Sequence, residues 1–283
     1  MKKINYKISL LVFLLLLNLL IYFVLTQLTG RDLVVAFLDV GQGDAIFIQA
    51  PNGRQLLIDG GPNGQVLREL GKVLPFYDRS LDVVLLTHPD QDHIGGLVEV
   101  LKRFQIDLLI RSNTTSTAAV YQELEQLVRE KGIKEEIIIT PERLTLGAGV
   151  ELDILFPDQD TAGWETNDSS IVGKIRYGEN SFLLTGDTPQ KIEKYLVGKY
   201  GVFLDSDVLK VGHHGSKNSS TEIFIGTVSP LYAVVSAGLN NRYGHPNQEV
   251  LDIFTQFKEQ VLSTLGQGMI VFKTDGEKVI DFR

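Results

Sequence analysis

Residues 87–96 read Thr-His-Pro-Asp-Gln-Asp-His-Ile-Gly-Gly. His88, Asp90, Asp92 and His93 fall within six positions there. Imidazole and carboxylate are ligands for zinc, iron or manganese. A polar turn with one aspartate capping the next helix would account for one of these residues. It would not account for two histidines and two aspartates at this density. A tight loop after a strand can aim alternate side chains at two neighbouring points. Asp82–Thr87 (DVVLLT) reads as such a strand, short and buried. The remaining histidines are His213, His214 and His245, and Asp187 closes the run Leu-Leu-Thr-Gly-Asp.

Composition limits what else the chain can do. It has 283 residues, 43% hydrophobic and 22% charged, and no cysteine. Disordered, collagen-like and coiled-coil classes are excluded. A disulfide framework, a thiolate zinc site, an iron–sulfur centre and a cysteine nucleophile are excluded as well. Residues 1–30 hold three of the 27 basic residues and no acid, so residues 31–283 carry 24 basic against 35 acidic residues, a net of −11. That balance argues against coating nucleic acid by charge alone. An anionic substrate would need local positive charge.

Residues 8–25 (ISLLVFLLLLNLLIYFVL) are apolar except for Ser9 and Asn18. As a helix they would span about 27 Å, near the thickness of a bilayer core. Lys2, Lys3 and Lys7 precede them, which predicts a cytoplasmic N-terminus and an exported remainder. The run exceeds the usual signal-peptide core, and Thr26–Gly30 offers no small-x-small cleavage site. Residues 1–30 are therefore expected to be a membrane anchor, with a cleaved signal segment and a secreted domain as the alternative. Residues 31–283 form one domain.

The elements that must position the chemistry follow from period and punctuation. Leu33–Asp39, Asp44–Gln49 and Gln55–Ile58 read as opening strands, with Pro51-Asn52-Gly53 as a turn. Helices are expected over Gly64–Leu74, Leu97–Phe104, Thr117–Lys131 and Pro189–Val197, and over 219–227 and 247–258. Strands are expected at Ile106–Ile110, Glu136–Thr140, Val150–Phe156, Ile171–Tyr177, Ser181–Thr185, Val208–Val211 and 232–236, with a hairpin near 269–282. Strands and helices spread through both halves suit two mixed sheets between helix layers.

Seven segments resemble one family in order along residues 33–282. His88–Gly96 resembles the HxHxDH signature of the metallo-β-lactamase fold, with Asp90 in place of the second histidine. Leu38–Ala45, Leu57–Gly61, Asn167–Ser170, Leu183–Asp187, Lys210–Ser216 and Arg242–Pro246 complete the set. Together they resemble the hydrolase domain of the ComEC/Rec2 competence proteins. The resemblance implies an α/β fold, an αββα metallo-β-lactamase sandwich, here preceded by one N-terminal transmembrane helix. Those proteins carry many membrane helices. This chain has one such segment, and is expected to be the hydrolase part on a tether.

The resemblance also implies a site for two divalent metal ions, manganese or zinc. His88 and Asp90 would serve the first, Asp92 and His93 the second, and Asp187 both. His213 or His214 would complete the second. Simple alternation along Leu209 and Val211 favours His213, leaving His214 as a hydrogen-bonding neighbour or proton carrier. No histidine lies between 94 and 212, so Asn167, Asp168 or water would complete the first. Asp44 and Asp59 would stand behind the ligands, and Asp39 in a turn. Three carboxylates beside about three imidazoles favour manganese more than an all-histidine site does.

Two such cations acidify a water and offset charge on a phosphoryl group. The expected activity is that of a metal-dependent phosphodiesterase or nuclease on DNA, outside the cytoplasm. A cell-envelope phosphodiester is the alternative substrate, and a non-catalytic module of a DNA-uptake apparatus the alternative role. His245, or the spare histidine of the pair, would be the general acid, with Asp92 also in the catalytic set. Ser216, Lys217, Ser219 and Ser220 before a helix offer a phosphate seat, and Lys217 and Arg242 offer positive charge.

Overall fold

The structure is a computed structural model that describes residues 6–28, 32–239 and 241–281. The apolar segment forms one helix, α1 (Tyr6–Leu28). Its Tyr6–Phe23 stretch is long and apolar enough to cross a membrane by length and composition. The domain follows in chain order as β1 (Leu33–Phe37), β2 (Ile46–Gln49), β3 (Gln55–Ile58), α2 (Gln65–Val73), β4 (Ser80–Leu86), α3 (Gln91–Arg103), β5 (Gln105–Ser112), α4 (Ala119–Lys131), β6 (Lys134–Ile138), β7 (Glu142–Gly147), β8 (Val150–Phe156), β9 (Val172–Tyr177), β10 (Asn180–Leu184), α5 (Gln190–Tyr200), β11 (Val208–Lys210), α6 (Glu222–Val228), β12 (Tyr232–Val235), α7 (Gln248–Phe257), β13 (Gln260–Ser263), β14 (Ile270–Thr274) and β15 (Val279–Asp281).

One sheet has the order β15-β14-β1-β2-β3-β4-β5-β6 and the other β13-β12-β11-β10-β9-β8-β7. Facing side chains such as Phe37, Ile48, Leu152, Phe182 and Phe272 fill the space between them. A second apolar layer joins the first sheet to α2, α3 and α4. A third joins the other sheet to α5, α6 and α7. This is the αββα sandwich the sequence predicts. Helices α2 to α7 turn apolar stripes to the sheets and leave their polar stripes in water.

Two differences bear on function. First, the helix expected from Leu97 begins at Gln91. Asp92 and His93 thus sit in its first turn, where the helix dipole favours a carboxylate. Asp90 holds the N-cap position, but its side chain makes no capping bond. Second, β7 and β13 carry no clear sequence signal, and they lie at the edges of their sheet, where burial dictates less.

Candidate metal centre

The chemistry gathers where β1, β3, β4, β10, β11 and β12 end. Asp59 follows β3 in a left-handed conformation (φ 57°), a strain kept where surrounding contacts over-determine it. Its carboxylate accepts the Thr87 backbone N–H at 2.8 Å and the Thr87 hydroxyl at 2.6 Å, and meets His93 Nδ1 at 2.7 Å. Thr87 Oγ1 lies 3.0 Å from His88 Nδ1. Since the hydroxyl proton goes to Asp59, His88 Nδ1–H donates to Thr87. His214 Nδ1 donates to the Ser236 carbonyl at 2.9 Å. Each ring is thereby oriented with Nδ1 tied outward and Nε2 turned into the cluster.

Those three Nε2 atoms converge. His88, His93 and His214 place Nε2 at 4.0, 3.4 and 3.5 Å from Asp187 Oδ2. His214 Nε2 is also 3.4 Å from Asp92 Oδ2, and His88 Nε2 is 3.8 Å from Asp90 Oδ2. All three Nε2 atoms and Asp187 Oδ1 are buried without a hydrogen-bond partner. Buried polar groups normally find one. Three orphaned ring nitrogens around a carboxylate with an orphaned oxygen of its own are what a cation would satisfy, and the imidazole–carboxylate set suits a divalent metal. Asp92, His93, Asp187 and His214 place ligand atoms within 4.8 Å of one another, and Asp44, Asp59 and His93 form an overlapping group.

The electrostatics agree. Burial holds the His88 imidazole down to about 3, so it is neutral. Burial alone would depress His93 and His214 too, but Asp187, with Asp59 and Asp44, raises both well above the usual imidazole range. Burial would raise Asp92, yet His214 and His93 bring it down to about 2. In the metal-free cluster the two protonated rings thus supply the positive charge beside Asp187 and Asp92 that a metal ion would replace.

The alternation that favoured His213 stops at Lys210, where β11 ends. His213 and His214 both adopt left-handed backbone (φ 48° and 56°), which turns His214 inward. His214 is 1% exposed, while His213 keeps 26% of its side chain exposed. His213 Nε2 reaches Asp187 Oδ2 at 3.7 Å from the outer side. Its ring lies 5.7 Å from that of His245, which stacks on Tyr243 at 5.6 Å. The inner and outer places of the pair are therefore exchanged relative to the alternation argument.

Asp44 is buried between Lys210 Nζ and His214 Nδ1, the latter 3.4 Å away. Asp39 accepts the Gly41 N–H within its turn. Asp168 pairs with Lys191 instead of the cluster. Asn167 Oδ1 is buried without a partner. Neighbouring Ser170 Oγ accepts the Asp187 N–H at 3.3 Å, and Thr166 hydrogen-bonds Asp90. The Asn-Asp-Ser-Ser stretch thus reaches the cluster through its flanks. The phosphate seat is filled from within. Glu193 accepts the Ser220 N–H and the Thr221 N–H, and Thr221 caps α6. Ser216 is buried, and Lys217 stands exposed beside it.

Lys210 is the residue that sequence reasoning passed over. It is fully buried, pairs with Asp44, donates to the Gly186 carbonyl at 2.9 Å and lies 3.7 Å from Asp187 Oδ1. Its signal was a lysine closing an apolar strand directly before the histidine pair. Beside the cluster opens a cleft of about 490 Å³, lined by Gln42, Asn63, Gln91, Asp92, Arg242 and Tyr243 among others.

The chain is also similar to known proteins. Residues 38–238 match the family model described as the metallo-β-lactamase superfamily. The chain is 34% identical over 256 residues to ComE operon protein 3 of Bacillus subtilis, covering 84% of this chain and 33% of that protein. It is 31% identical over 250 residues to Recombination protein 2 of Haemophilus influenzae, covering 86% and 29%. It is 33% identical over 224 residues to the competence protein ComA of Neisseria gonorrhoeae, covering 78% and 29%. The chain thus spans about a third of the length of these curated relatives. In fold it is similar to the metallo-β-lactamase fold protein YhfI from Bacillus subtilis, with a TM-score of 0.57, 15% identity, and 86% of this chain and 100% of that one covered. The convergent histidines, the sandwich that presents them and the match over residues 38–238 place the chain in the metallo-β-lactamase superfamily.

Proposed function

We propose that this protein is a metal-dependent phosphodiesterase acting on DNA in a competence-type uptake system. The observation that carries the reading is the convergence of three buried Nε2 atoms on Asp187 Oδ2, in a chain similar to competence proteins over most of its length. His88 and Asp90 would hold one divalent cation. Asp92, His93 and His214 would hold the other, and Asp187 would serve both. The carboxylate share of this set favours manganese, with zinc as the rival. Bound there, two such cations acidify a water and offset charge on a phosphoryl group.

The remaining roles belong to the chain's own side chains. Asp59, Thr87 and the Ser236 carbonyl keep the three imidazoles in register. Lys210 balances Asp44 and anchors the Gly186–Asp187 turn. His213 and His245 stand on the open side of the cluster, where one of them would protonate the leaving oxygen. Arg242 and the exposed Tyr243 flank the cleft, offering a phosphate contact and a ring face to a strand of nucleic acid. The apolar helix α1 would tether the domain to the cell membrane, with the site outside the cytoplasm.

The full chain in detergent, given manganese and 5′-labelled DNA, is expected to cleave it, and an Asp92→Ala, His93→Ala variant to lose that cleavage. Intact DNA alongside hydrolysed bis-p-nitrophenyl phosphate would reassign the substrate to a smaller or envelope phosphodiester. No turnover of either, with metal bound, would refute the enzymatic reading.

A further inference from the structure

The ligand cluster occupies one edge of the sandwich, and the opposite edge has its own character. β1 and β3 both run antiparallel to β2, while β3, β4 and β5 run parallel. These strands therefore start at a common edge and carry Asp59 and His88 beyond their far ends. β10, β11 and β12 are also parallel to one another, with Asp187 and His214 beyond their ends, so they start at that same opposite edge. The chain enters there: α1 stops at Leu28 and β1 begins at Leu33. Five steps of chain span at most about 17 Å.

Large apolar side chains stand in solvent at this edge. Before β4, Phe76 and Tyr77 are 87% and 74% exposed, with their rings edge to face at 5.4 Å. Before β11 and β12, Val202 and Leu231 are 89% and 63% exposed. A cleft of about 490 Å³ opens between the starts of β4, β5 and β6, lined by Arg79, Arg103, Phe104, Gln105, Ile106 and Lys131 among others. Arg79 lies over the Phe104 ring at 5.5 Å and bonds the Asp78 carbonyl. Lys131 donates to the Phe104 carbonyl at 3.4 Å. Among the described residues neither has a carboxylate within ion-pair distance. Lys72, Lys102 and Arg103, by contrast, are matched to Glu69, Glu99 and Glu123.

The adjacent Asp78 carboxylate feels the Arg79 charge without pairing with it. Cations outside ion pairs beside exposed aromatic rings are the side chains that settle at a bilayer's headgroup level. We infer that this edge docks on an anionic phospholipid surface, with Phe76 and Tyr77 among the headgroups and Arg79 and Lys131 against lipid phosphates. The inference rests on the reading of α1 as a membrane helix. β4 lies about 14 Å from β1 across three strand spacings, so one bilayer surface can take both the helix exit and the aromatic pair. The β14–β15 turn shares the edge and carries Asp275 and Glu277, with Asp275 accepting the Glu277 and Lys278 N–H groups. Attraction to anionic lipid therefore belongs to the Arg79–Lys131 flank. The ligand cluster, about 20 Å away along β4, then faces water.

The test uses the full chain in phosphatidylcholine–phosphatidylglycerol vesicles, with and without brominated acyl chains. Trp164 is the single tryptophan, so Trp164→Phe gives a dark background. A Phe76→Trp probe is expected to lose most of its emission to brominated lipid. A Leu239→Trp probe, 78% exposed as leucine at the cluster edge, is expected to lose none. Adding Arg79→Gln and Lys131→Gln is expected to remove the dependence on phosphatidylglycerol. Vesicle-bound chain whose Phe76→Trp probe is unquenched would overturn the docking and leave the anchor standing. Chain that fails to float with vesicles would overturn both.

Discussion

At the scale of single residues, the site depends on pairs. Lys210 and Asp44 are both buried, so removing one leaves the other charge uncompensated, a loss of about 3–5 kcal/mol. Lys210→Met is expected to lower the urea midpoint accordingly, and Lys210→Met with Asp44→Leu to recover part of it. An unchanged midpoint in the single variant would mean that Asp44 is neutral or solvated. Asp59 acts through His93. Asp59→Asn is expected to weaken metal binding about 10–100-fold while leaving the fold intact, measured by competition with a chelating dye. The charge state sets a further expectation. Asp187 keeps His93 and His214 protonated in the metal-free chain, so metal uptake near neutral pH must expel protons. Calorimetry in two buffers of different ionisation enthalpy reads that release directly.

Secondary-structure elements translate these residues into geometry. Gly43 and Gly96 mark where α3 presses on the loops after β1 and β3: an added Cβ would lie 2.1 Å from the Asp92 carbonyl oxygen and 1.9 Å from that of Gly60. Gly96→Ala is expected to cost several kcal/mol or to displace α3 and its Asp92 and His93. Glu193, on α5, ties down the segment after the histidine pair. Burial pushes its carboxyl up to about 7, above its unfolded value. Such a group favours the fold when protonated. Its contribution is complete below about pH 4.5 and is lost as pH rises through 7. Wild-type stability is expected to fall over that window, with a smaller slope in Glu193→Gln. The candidate ligand types stood out in the sequence because metal chemistry narrows residue choice. It did not show that His214 is the inner histidine, since two consecutive left-handed residues have no periodic signature. Lys210 was hidden for a related reason: its burial depends on Asp44, remote in sequence.

Across the whole molecule, most of the layered fold was legible, because buried strands and amphipathic helices leave strong periods. The edge strands β7 and β13 were not, since half-exposed edges carry weak patterns. Two ends with opposed character emerge: one gathers the candidate metal ligands, and the other joins the apolar helix. Metal should bind the folded chain far better than the unfolded one, so the melting temperature is expected to rise with metal concentration and to fall on chelation.

The measurement that reaches the central claim most directly is metal stoichiometry paired with turnover, on the full chain and on Asp187→Ala and His213→Ala variants. Two divalent ions per chain are expected, with phosphodiester hydrolysis abolished by chelation and restored by manganese. Asp187→Ala should lose both ions and turnover, whereas His213→Ala should keep the ions and lose rate. Hydrolysis that survives complete metal removal, or an Asp187→Ala chain that keeps two ions, would contradict the account.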